Sequence, residues 1–127
     1  VWEASLLGPE GTHWEGGFFQ LEIIFPPAFP DLSPRVRFVS HMFHPNISTS
    51  GVPYLASLLL WHGISPRQRG VRSLLEDLCR FFVNHPDPEP ITHLNTEAAE
   101  LCFSADEARR KDYSRRVRRC AQRSNEE

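Results

Sequence analysis

The stretch FFQLEIIFPPAFPDLSPRVRFVSHMFHPN, residues 18–46, decides the fold. Apolar residues occupy every second position from Phe19 to Phe25, which predicts a strand with one strongly buried face. The Pro-Pro pair at 26–27 ends this strand, and a short proline-rich loop follows. Alternation resumes over residues 35–39 and predicts the next strand. Consecutive strands with so short a connection pair most easily as antiparallel neighbours.

Towards the N-terminus, residues 2–6 also alternate between apolar and polar side chains and predict a further strand. GPEG at residues 8–11 is a turn signal between this strand and the one that follows. Three sequential strands with short connections predict an antiparallel meander.

Towards the C-terminus, the pattern changes from strands to helices. Residues 40–70 read as a long irregular segment, with a short helical turn expected at Leu55–Leu60, and loops of that length are usually functional. A helix that faces the sheet is then predicted from apolar residues at helical spacing: Val71, Leu74, Leu75, Leu78 and Phe82. HPDPEP at residues 85–90 ends it, because proline cannot continue a helix.

Two further helices are predicted after that loop. Asn95 is expected to cap a short helix through Leu101, and Ser104 with Glu107 forms a capping box for the last helix. The last helix has a narrow apolar stripe, made of Tyr113, Val117, Cys120 and Ala121. The fold class is therefore α+β: an antiparallel β-meander packed against a central helix, with two further C-terminal helices, in a single domain over residues 1–127.

The cysteine count limits the kinds of site that the chain can hold. Cys79, Cys102 and Cys120 are far apart and form no CxxC pair, so the sequence indicates neither a metal site nor a disulfide framework. We therefore expect no metal and no cofactor, and a reducing compartment, the cytoplasm or the nucleus. No apolar run approaches the length that spans a membrane, so we expect no membrane partner.

The net charge of −2 is unevenly distributed. From Ala105 onward there are 8 Lys and Arg against 5 Asp and Glu, whereas the preceding residues hold 6 against 11. The favoured interpretation is a solvated terminal helix, and the alternative is a docking surface for an acidic partner. The acidic body of the chain makes nucleic acid the weaker prediction.

Several motifs in their order along the chain carry a family resemblance. They are GPEGTHWEGGFF at 8–19, FPPAFPDLSP at 25–34, RVRFVSHMFHPN at 35–46, the Gly51 loop, Trp61 with Ser65-Pro66, the Val71 helix, and HPDPEP. Up to about Asp112 the chain resembles the ubiquitin-conjugating enzyme family. The resemblance implies a four-stranded antiparallel meander with helices at one end and on one face. The family's first helix and first strand have no counterpart here, so we expect the sequence to be a fragment.

The resemblance also locates a missing nucleophile. In the family, the eighth residue after the Asn of His-Pro-Asn is the cysteine that carries ubiquitin as a thioester, and here that residue is Tyr54. Thiolates are nucleophilic near neutral pH and leave readily, whereas a phenol with a reference pKa of about 10 is mostly protonated. The three cysteines of the chain are expected to be small packed residues instead.

Other family positions are present, and each has a structural alternative. Asn46 matches the family's oxyanion stabiliser, but an Asn side chain also ties up loop backbone, which is the favoured role here. His44 is likewise expected to support the loop rather than to move protons. Glu89 matches an acidic residue that helps to deprotonate an incoming lysine, although a solvated glutamate is the favoured interpretation.

The face that binds ligases in the family also departs from the pattern. Phe29-Pro30 is followed by Asp31, where an apolar anchor is common, and Leu32 could substitute by a shift of one position. Ser65-Pro66 is present in the second ligase loop. A pocket built for an apolar anchor would lose affinity against a charge, so we expect weakened ligase binding.

These observations predict a catalytically inactive ubiquitin-conjugating-enzyme-like domain that acts as a protein-binding module or scaffold. Its partners would be ubiquitin, a ubiquitin-like protein, a conjugating enzyme or a larger complex. One alternative is an active or mutated ubiquitin-conjugating enzyme, and another is an adaptor unrelated to ubiquitin. Two further surfaces are candidates for docking: the outer sheet face with Glu22, and the basic run of the last helix with Arg118 and Arg119.

Overall fold

The sheet is a three-stranded antiparallel meander. The computed structural model describes residues 1–55, 58, 61 and 71–126. The strands are β1 (Trp2–Leu7), β2 (Phe18–Ile24) and β3 (Arg35–Phe38), and they lie in the order β1-β2-β3. In this register Glu22 lies opposite Glu3 on one side and Arg37 on the other. The three predicted strands are confirmed, and most of their ends differ from the predicted ones by a single residue.

The edge of β3 holds the loop that follows it. The Phe38 amide donates to the Gly51 carbonyl at 2.7 Å, so the chain returns to the sheet after an excursion of twelve residues. Gly51 has φ +94°, and a Cβ atom at this position would lie 2.2 Å from the Phe38 carbonyl oxygen. Only glycine combines this backbone conformation with so close an approach, which holds the loop at Gly51 against the end of β3.

Within residues 71–126 the structure has three α-helices and a short 3₁₀ turn. They are α1 (Val71–Val83), the 3₁₀ turn (Pro90–Thr92), α2 (Thr96–Cys102) and α3 (Glu107–Ser124). The predicted cap of α2 is confirmed, because the Asn95 side chain accepts a hydrogen bond from the Ala98 amide at 3.1 Å. The α+β class is therefore confirmed as a meander followed by helices.

The predicted cap of α3 is wrong. The capping residue is Asp106, whose carboxylate accepts a hydrogen bond from the Ala108 amide at 3.0 Å. The Ser104 hydroxyl instead accepts from the Asp106 amide at 3.1 Å and closes a turn before the helix begins. Aspartate is as good a cap as serine, and here it is the residue adjacent to the first helical turn.

The core lies between the sheet and α1, as the sequence predicts. Leu74, Leu78 and Phe82 are buried in one cluster with Leu21 and Ile23. Phe82 stands at its centre, with ring centroids 5.4 Å from Phe19, 5.8 Å from Phe38 and 5.0 Å from Trp14.

The buried stripe of α3 is also confirmed, since Tyr113, Val117, Cys120 and Ala121 are all buried. Its last residue, Ser124, accepts a hydrogen bond from the Phe18 amide at 2.9 Å and so connects the helix to the start of β2.

The prediction of three packed cysteines is wrong for one of them. Cys79 is exposed on α1, Cys102 is half-buried and Cys120 is buried. Cys79 follows the fully buried Leu78 by one residue, and one residue turns a helical side chain by about 100°, away from the core.

Most of the helical turn predicted at 55–60 lies outside the described residues, but Leu58 is helical and its amide donates to the Leu55 carbonyl at 3.1 Å. Within residues 1–55 and 71–126, no helix is both long and apolar enough to cross a membrane.

Candidate functional site

A cleft of about 480 Å³ lies where the 44–55 loop, the C-terminal half of α1 and residues 85–87 meet. It brings together His44, Asn46 and Tyr54, three of the four positions to which the family resemblance points. The fourth, Glu89, does not line it. The lining residues are His44, Asn46, Tyr54, Leu55, Asp77, Arg80, Phe81, Asn84, His85, Pro86 and Asp87.

Asn46 is buried, and its amide group is fully engaged. Nδ2 donates to the Thr92 hydroxyl at 2.9 Å, to the Thr92 carbonyl at 3.2 Å and to the Asp87 carbonyl at 3.3 Å. Oδ1 accepts from the Asp87 amide at 2.9 Å. The side chain therefore connects its own loop to the 87–92 segment, and it would have to leave these partners to stabilise an oxyanion.

The main chain around Asn46 positions Tyr54. The Tyr54 amide donates to the Asn46 carbonyl at 2.8 Å, next to an antiparallel bridge between Ile47 and Pro53. The neighbouring Pro45 carbonyl accepts from the Leu94 amide at 2.9 Å. Backbone hydrogen bonds thus hold Tyr54 directly beside the His-Pro-Asn segment.

His44 is buried and neutral near physiological pH. Burial, and secondarily the charge of His85, lowers its pKa to about 3. Its Nδ1 accepts a hydrogen bond from the Asn46 amide at 3.0 Å, and its ring packs 4.6 Å from that of Phe81. Because Nδ1 is the acceptor, the proton of the neutral ring is on Nε2. The imidazole is an acceptor within the loop, not a group that exchanges protons near pH 7.

Glu89 is exposed and acts through its backbone in this loop. Its carbonyl accepts from the Thr92 hydroxyl at 2.7 Å, and its amide donates to the Asp87 carboxylate at 2.9 Å. The acidic residue of HPDPEP that lines the cleft is Asp87, two positions before Glu89. The motif HPDPEP contains two acids, Asp87 and Glu89, and only the geometry of the loop separates them.

The contribution of α1 to the cleft was also missed. Asp77, Arg80, Phe81 and Asn84 line it, at the spacing of one helical face. That spacing was the one sequence signal for their place in the cleft, but it is equally typical of the solvated side of an amphipathic helix.

No cysteine lines the cleft. All three cysteines of the chain lie in the described residues, and none is among those that surround Tyr54. Burial raises the pKa of the Cys102 thiol to about 11, which keeps it protonated. Within the described residues, no group of His, Cys, Asp and Glu side chains is arranged to hold a metal ion.

Of the residues predicted to face a ligase, some pack inside the loop and others are exposed on its surface. Phe29 is half-buried, with ring centroids 4.8 Å from Phe25 and 6.1 Å from Trp61. The Trp61 indole donates to the Pro30 carbonyl at 2.6 Å and anchors this loop. Asp31 and Leu32 are both exposed, so the surface of the loop presents a charge next to an aliphatic side chain. Ser65 and Pro66 lie outside the described residues.

The other two candidate surfaces are charged. On the outer face of the sheet, Glu22 forms an ion pair with Arg37 at 3.1 Å. On α3, Arg118 and Arg119 are exposed but have different surroundings. Arg118 lies close enough to His13 for its charge to act on that imidazole, because the pKa of His13 is lowered by burial and, secondarily, by Arg118. Arg119 instead lines a small pocket with His41.

Comparison with known proteins identifies the family. A sequence model described as ubiquitin-conjugating enzyme matches residues 1–121, nearly the whole chain. The chain belongs to the ubiquitin-conjugating enzyme family. The site described above is therefore the His-Pro-Asn region of a ubiquitin-conjugating fold, with Tyr54 beside its asparagine.

Two relatives show how similar this chain is to other proteins in sequence and in structure. Ubiquitin-conjugating enzyme E2 3 from Arabidopsis thaliana is 39% identical over 117 residues, which cover 91% of this chain and 71% of that protein. Among solved structures, the E2 domain of a ubiquitin-conjugating enzyme from Toxoplasma gondii superimposes with a TM-score of 0.81 at 28% identity. That match covers 96% of this chain and 78% of the other.

Proposed function

We propose that this ubiquitin-conjugating-like domain does not carry ubiquitin as a thioester and instead acts as a protein-binding module or scaffold. The observation that supports this proposal is the position of Tyr54. Its amide is bonded to the Asn46 carbonyl, and its side chain lines the cleft in which a conjugating enzyme needs a thiol. A phenol is a poor substitute, because only a thiol can form the thioester that carries ubiquitin.

The environments of the three cysteines support the same proposal. Cys120 is buried, Cys102 has a raised pKa, and the exposed Cys79 does not line the cleft with Tyr54. A thioester at any of them would form outside the site that the fold provides.

The presence of Asn46 and His44 can be explained by their structural role, without a role in catalysis. The Asn46 amide is engaged with Thr92 and Asp87, and the His44 imidazole accepts from the Asn46 amide. A domain without the nucleophile would retain both residues, because the loop that they hold forms part of the surface.

The competing function is that of a ubiquitin-conjugating enzyme. The names of the two relatives, both conjugating enzymes, favour it. It would require either that a distant cysteine accepts ubiquitin or that Tyr54 replaces an original cysteine. An adaptor without any connection to ubiquitin is the remaining alternative.

The deciding experiment is a charging assay. The domain is incubated with activating enzyme, ATP and ubiquitin, and is separated with and without a thiol reductant. We expect no reductant-sensitive adduct, whereas an active member of the family in the same mixture should give one. An adduct on this chain that is abolished by Cys79→Ala would overturn the proposal.

A second variant distinguishes loss of the nucleophile from loss of recognition by the activating enzyme. Tyr54→Cys supplies a thiol in the cleft, and Tyr54→Ser is its matched control. Charging of Tyr54→Cys would mean that only the cysteine is missing. If Tyr54→Cys remains uncharged, recognition by the activating enzyme is missing as well.

We also propose that the partners of the domain are proteins: ubiquitin, a ubiquitin-like protein, a conjugating enzyme or a larger complex in the cytoplasm or nucleus. The uneven charge supports a protein rather than a nucleic acid, because the residues before Ala105 are predominantly acidic.

A further inference from the structure

A second pocket, of about 390 Å³, lies between residues 11–14, the C-terminal end of α1 and one side of α3. A cavity of this size is large enough to hold a small organic molecule. Its apolar wall includes the buried side chains of Trp14, Phe82 and Val117. Among its described lining residues there is no aspartate and no glutamate, so the pocket offers no carboxylate to a cationic ligand.

Tyr113 adds an unsatisfied polar group to this pocket. The residue is only 8% exposed, and among the described residues its hydroxyl has no hydrogen-bond partner. Burial and, secondarily, the nearby Cys102 thiol raise the pKa of Tyr113, so the hydroxyl keeps its proton and is available as a donor. Sulfur is a weak acceptor, and a buried donor without an acceptor is costly. A ligand that supplied an acceptor here would remove that cost.

His44 adds a second donor to the same pocket. Its Nδ1 accepts from the Asn46 amide, so the ring nitrogen that remains for a ligand is Nε2, which carries the proton. The two buried polar side chains of the lining, His44 and Tyr113, are thus both uncharged donors. An ionised ligand would lose its hydration beside them without gaining a buried charge of opposite sign.

The exposed rim of the pocket is held together by hydrogen bonds. The Ser114 hydroxyl and Nε2 of His13 lie 3.2 Å apart and join α3 to the turn between β1 and β2. The Arg110 guanidinium donates to the Ser104 carbonyl at 2.6 Å, so the one arginine of the lining is engaged at the rim. Walls that are arranged in advance lose less entropy when a ligand binds.

We propose that this pocket binds a small, uncharged, planar aromatic molecule that carries a carbonyl group, as an aromatic amide does. The ring packs against the wall formed by Trp14 and Phe82, whose own rings are 5.0 Å apart and tilted. The carbonyl oxygen accepts from the Tyr113 hydroxyl, with Nε2 of His44 as a second donor.

This pocket shares His44 and residues 84–86 with the cleft at Tyr54. A ligand that accepts from Nε2 of His44 favours the tautomer in which Nδ1 accepts from the Asn46 amide. Its binding should therefore stabilise the loop that holds Tyr54. The inference extends the proposed binding role, but it does not depend on whether Tyr54 has lost its chemistry.

The test titrates the domain with benzamide and follows the backbone amides by NMR. We expect a dissociation constant on the order of 1 mM for so small a molecule, with shifts at Trp14 and Val117. Toluene, which lacks the acceptor, and benzoate, which is charged, should both bind more weakly. Tyr113→Phe removes the hydroxyl and keeps the ring, and should weaken benzamide binding about five- to tenfold.

The matched control is Tyr54→Phe, which removes the only other phenolic hydroxyl of the chain. It lies in the neighbouring cleft and should change benzamide binding less than about twofold. Thermal unfolding of both variants checks that each one is folded. Tyr113→Phe should be at least as stable as the wild type, because it removes a buried group that has no partner.

Each of four outcomes would overturn the inference. Toluene binding as tightly as benzamide would show that the carbonyl is not recognised, and tighter binding of benzoate would assign the pocket to anions. Unchanged binding by Tyr113→Phe, or weaker binding by Tyr54→Phe, would place the ligand elsewhere. The absence of any shift would mean that the pocket holds only water. None of these results bears on the charging assay, so the two proposals fail separately.

Discussion

At the scale of single residues, the His-Pro-Asn segment functions as a connector between loops. His44, Pro45 and Asn46 each bond to a different piece of backbone: the imidazole to the Asn46 amide, the Pro45 carbonyl to the Leu94 amide, and the Asn46 side chain to Asp87 and Thr92. Buried polar groups are costly unless they are paired, and each of these groups has a hydrogen-bond partner. These hydrogen bonds hold the conformation of the segment and do not require the segment to take part in a reaction.

The first prediction concerns the pH dependence that His44 adds to stability. In the folded protein its pKa is lowered to about 3, so the ring stays neutral while the unfolded chain takes up a proton near pH 6.5. The unfolded state then binds more protons, and stability falls as pH drops below about 6.5. The slope approaches about 1.4 kcal/mol per pH unit, or roughly 2 kcal/mol between pH 6.5 and 5.

Urea unfolding of the wild type and of His44→Asn from pH 7.5 to 5 would measure this contribution. Asparagine keeps an acceptor two residues before the Asn46 amide but does not titrate in that range. We expect the variant to be less stable at pH 7.5 and to lose less stability on acidification. Parallel curves for the two proteins would contradict a buried neutral imidazole.

At the scale of secondary structure, α1 shows how one helix serves three environments. Leu74, Leu78 and Phe82 face the sheet, Asp77 and Arg80 line the cleft, and Cys79 faces outward. The helical repeat of 3.6 residues separates these faces. A substitution on α1 should therefore affect stability, the cleft or neither, according to its position.

The second prediction compares neighbouring positions of this helix. Leu78 is fully buried, so Leu78→Ala should lower the free energy of unfolding by about 2–5 kcal/mol. Cys79→Ala changes the exposed residue beside it and should stay within about 0.5 kcal/mol of the wild type. Thermal or urea unfolding measures both. Similar costs at the two positions would mean that α1 turns a different face towards the core.

The third prediction concerns the start of α3. Asp106→Ala should cost about 0.5–2 kcal/mol, because the Ala108 amide loses its acceptor. Asp106→Asn retains a capping oxygen and should cost less. Ser104→Ala removes an exposed bond outside the helix and should cost about 0.5 kcal/mol or less. If Ser104→Ala proved the more damaging change, the capping box predicted from sequence would be the correct one.

At the scale of the whole molecule, the meander, α1 and α3 enclose one core, and the functional surfaces lie around it. The cleft at Tyr54, the loop with Asp31, the outer sheet face and the pocket at Arg119 are formed by different elements. The body before Ala105 is predominantly acidic and the C-terminal helix is basic. Partners of opposite charge could therefore occupy separate surfaces, and salt would weaken each exposed contact.

The fourth prediction uses the cysteines as reporters of this arrangement. Alkylation of the folded protein with iodoacetamide, read by mass spectrometry, should modify Cys79 first and Cys102 more slowly. Cys120 should react only when the protein unfolds, since it is buried in the core. Rapid modification of Cys120 in the native protein would show that α3 does not pack on the sheet as described.

Local patterns in the sequence specify the secondary-structure elements and the fold class. Alternation in β2, helical spacing in α1 and the cap at Asn95 are local signals, because each depends on residues within a few positions of one another. The elements needed only the periodicity of the backbone and the chemistry of neighbouring residues, whereas the resemblance to the ubiquitin-conjugating enzyme family implied that His44, Asn46 and Tyr54 belong to one site.

The tertiary structure decided which of several similar residues face which surface. It turned Asp87 rather than Glu89 towards the cleft, exposed Cys79, chose Asp106 over Ser104 as a cap, and gave Arg118 and Arg119 different neighbours. Each choice depends on contacts between distant segments, as between Asn46 and Thr92, 46 positions apart. Local propensity cannot distinguish two acids or two arginines, because only the packing of remote elements makes their positions unequal.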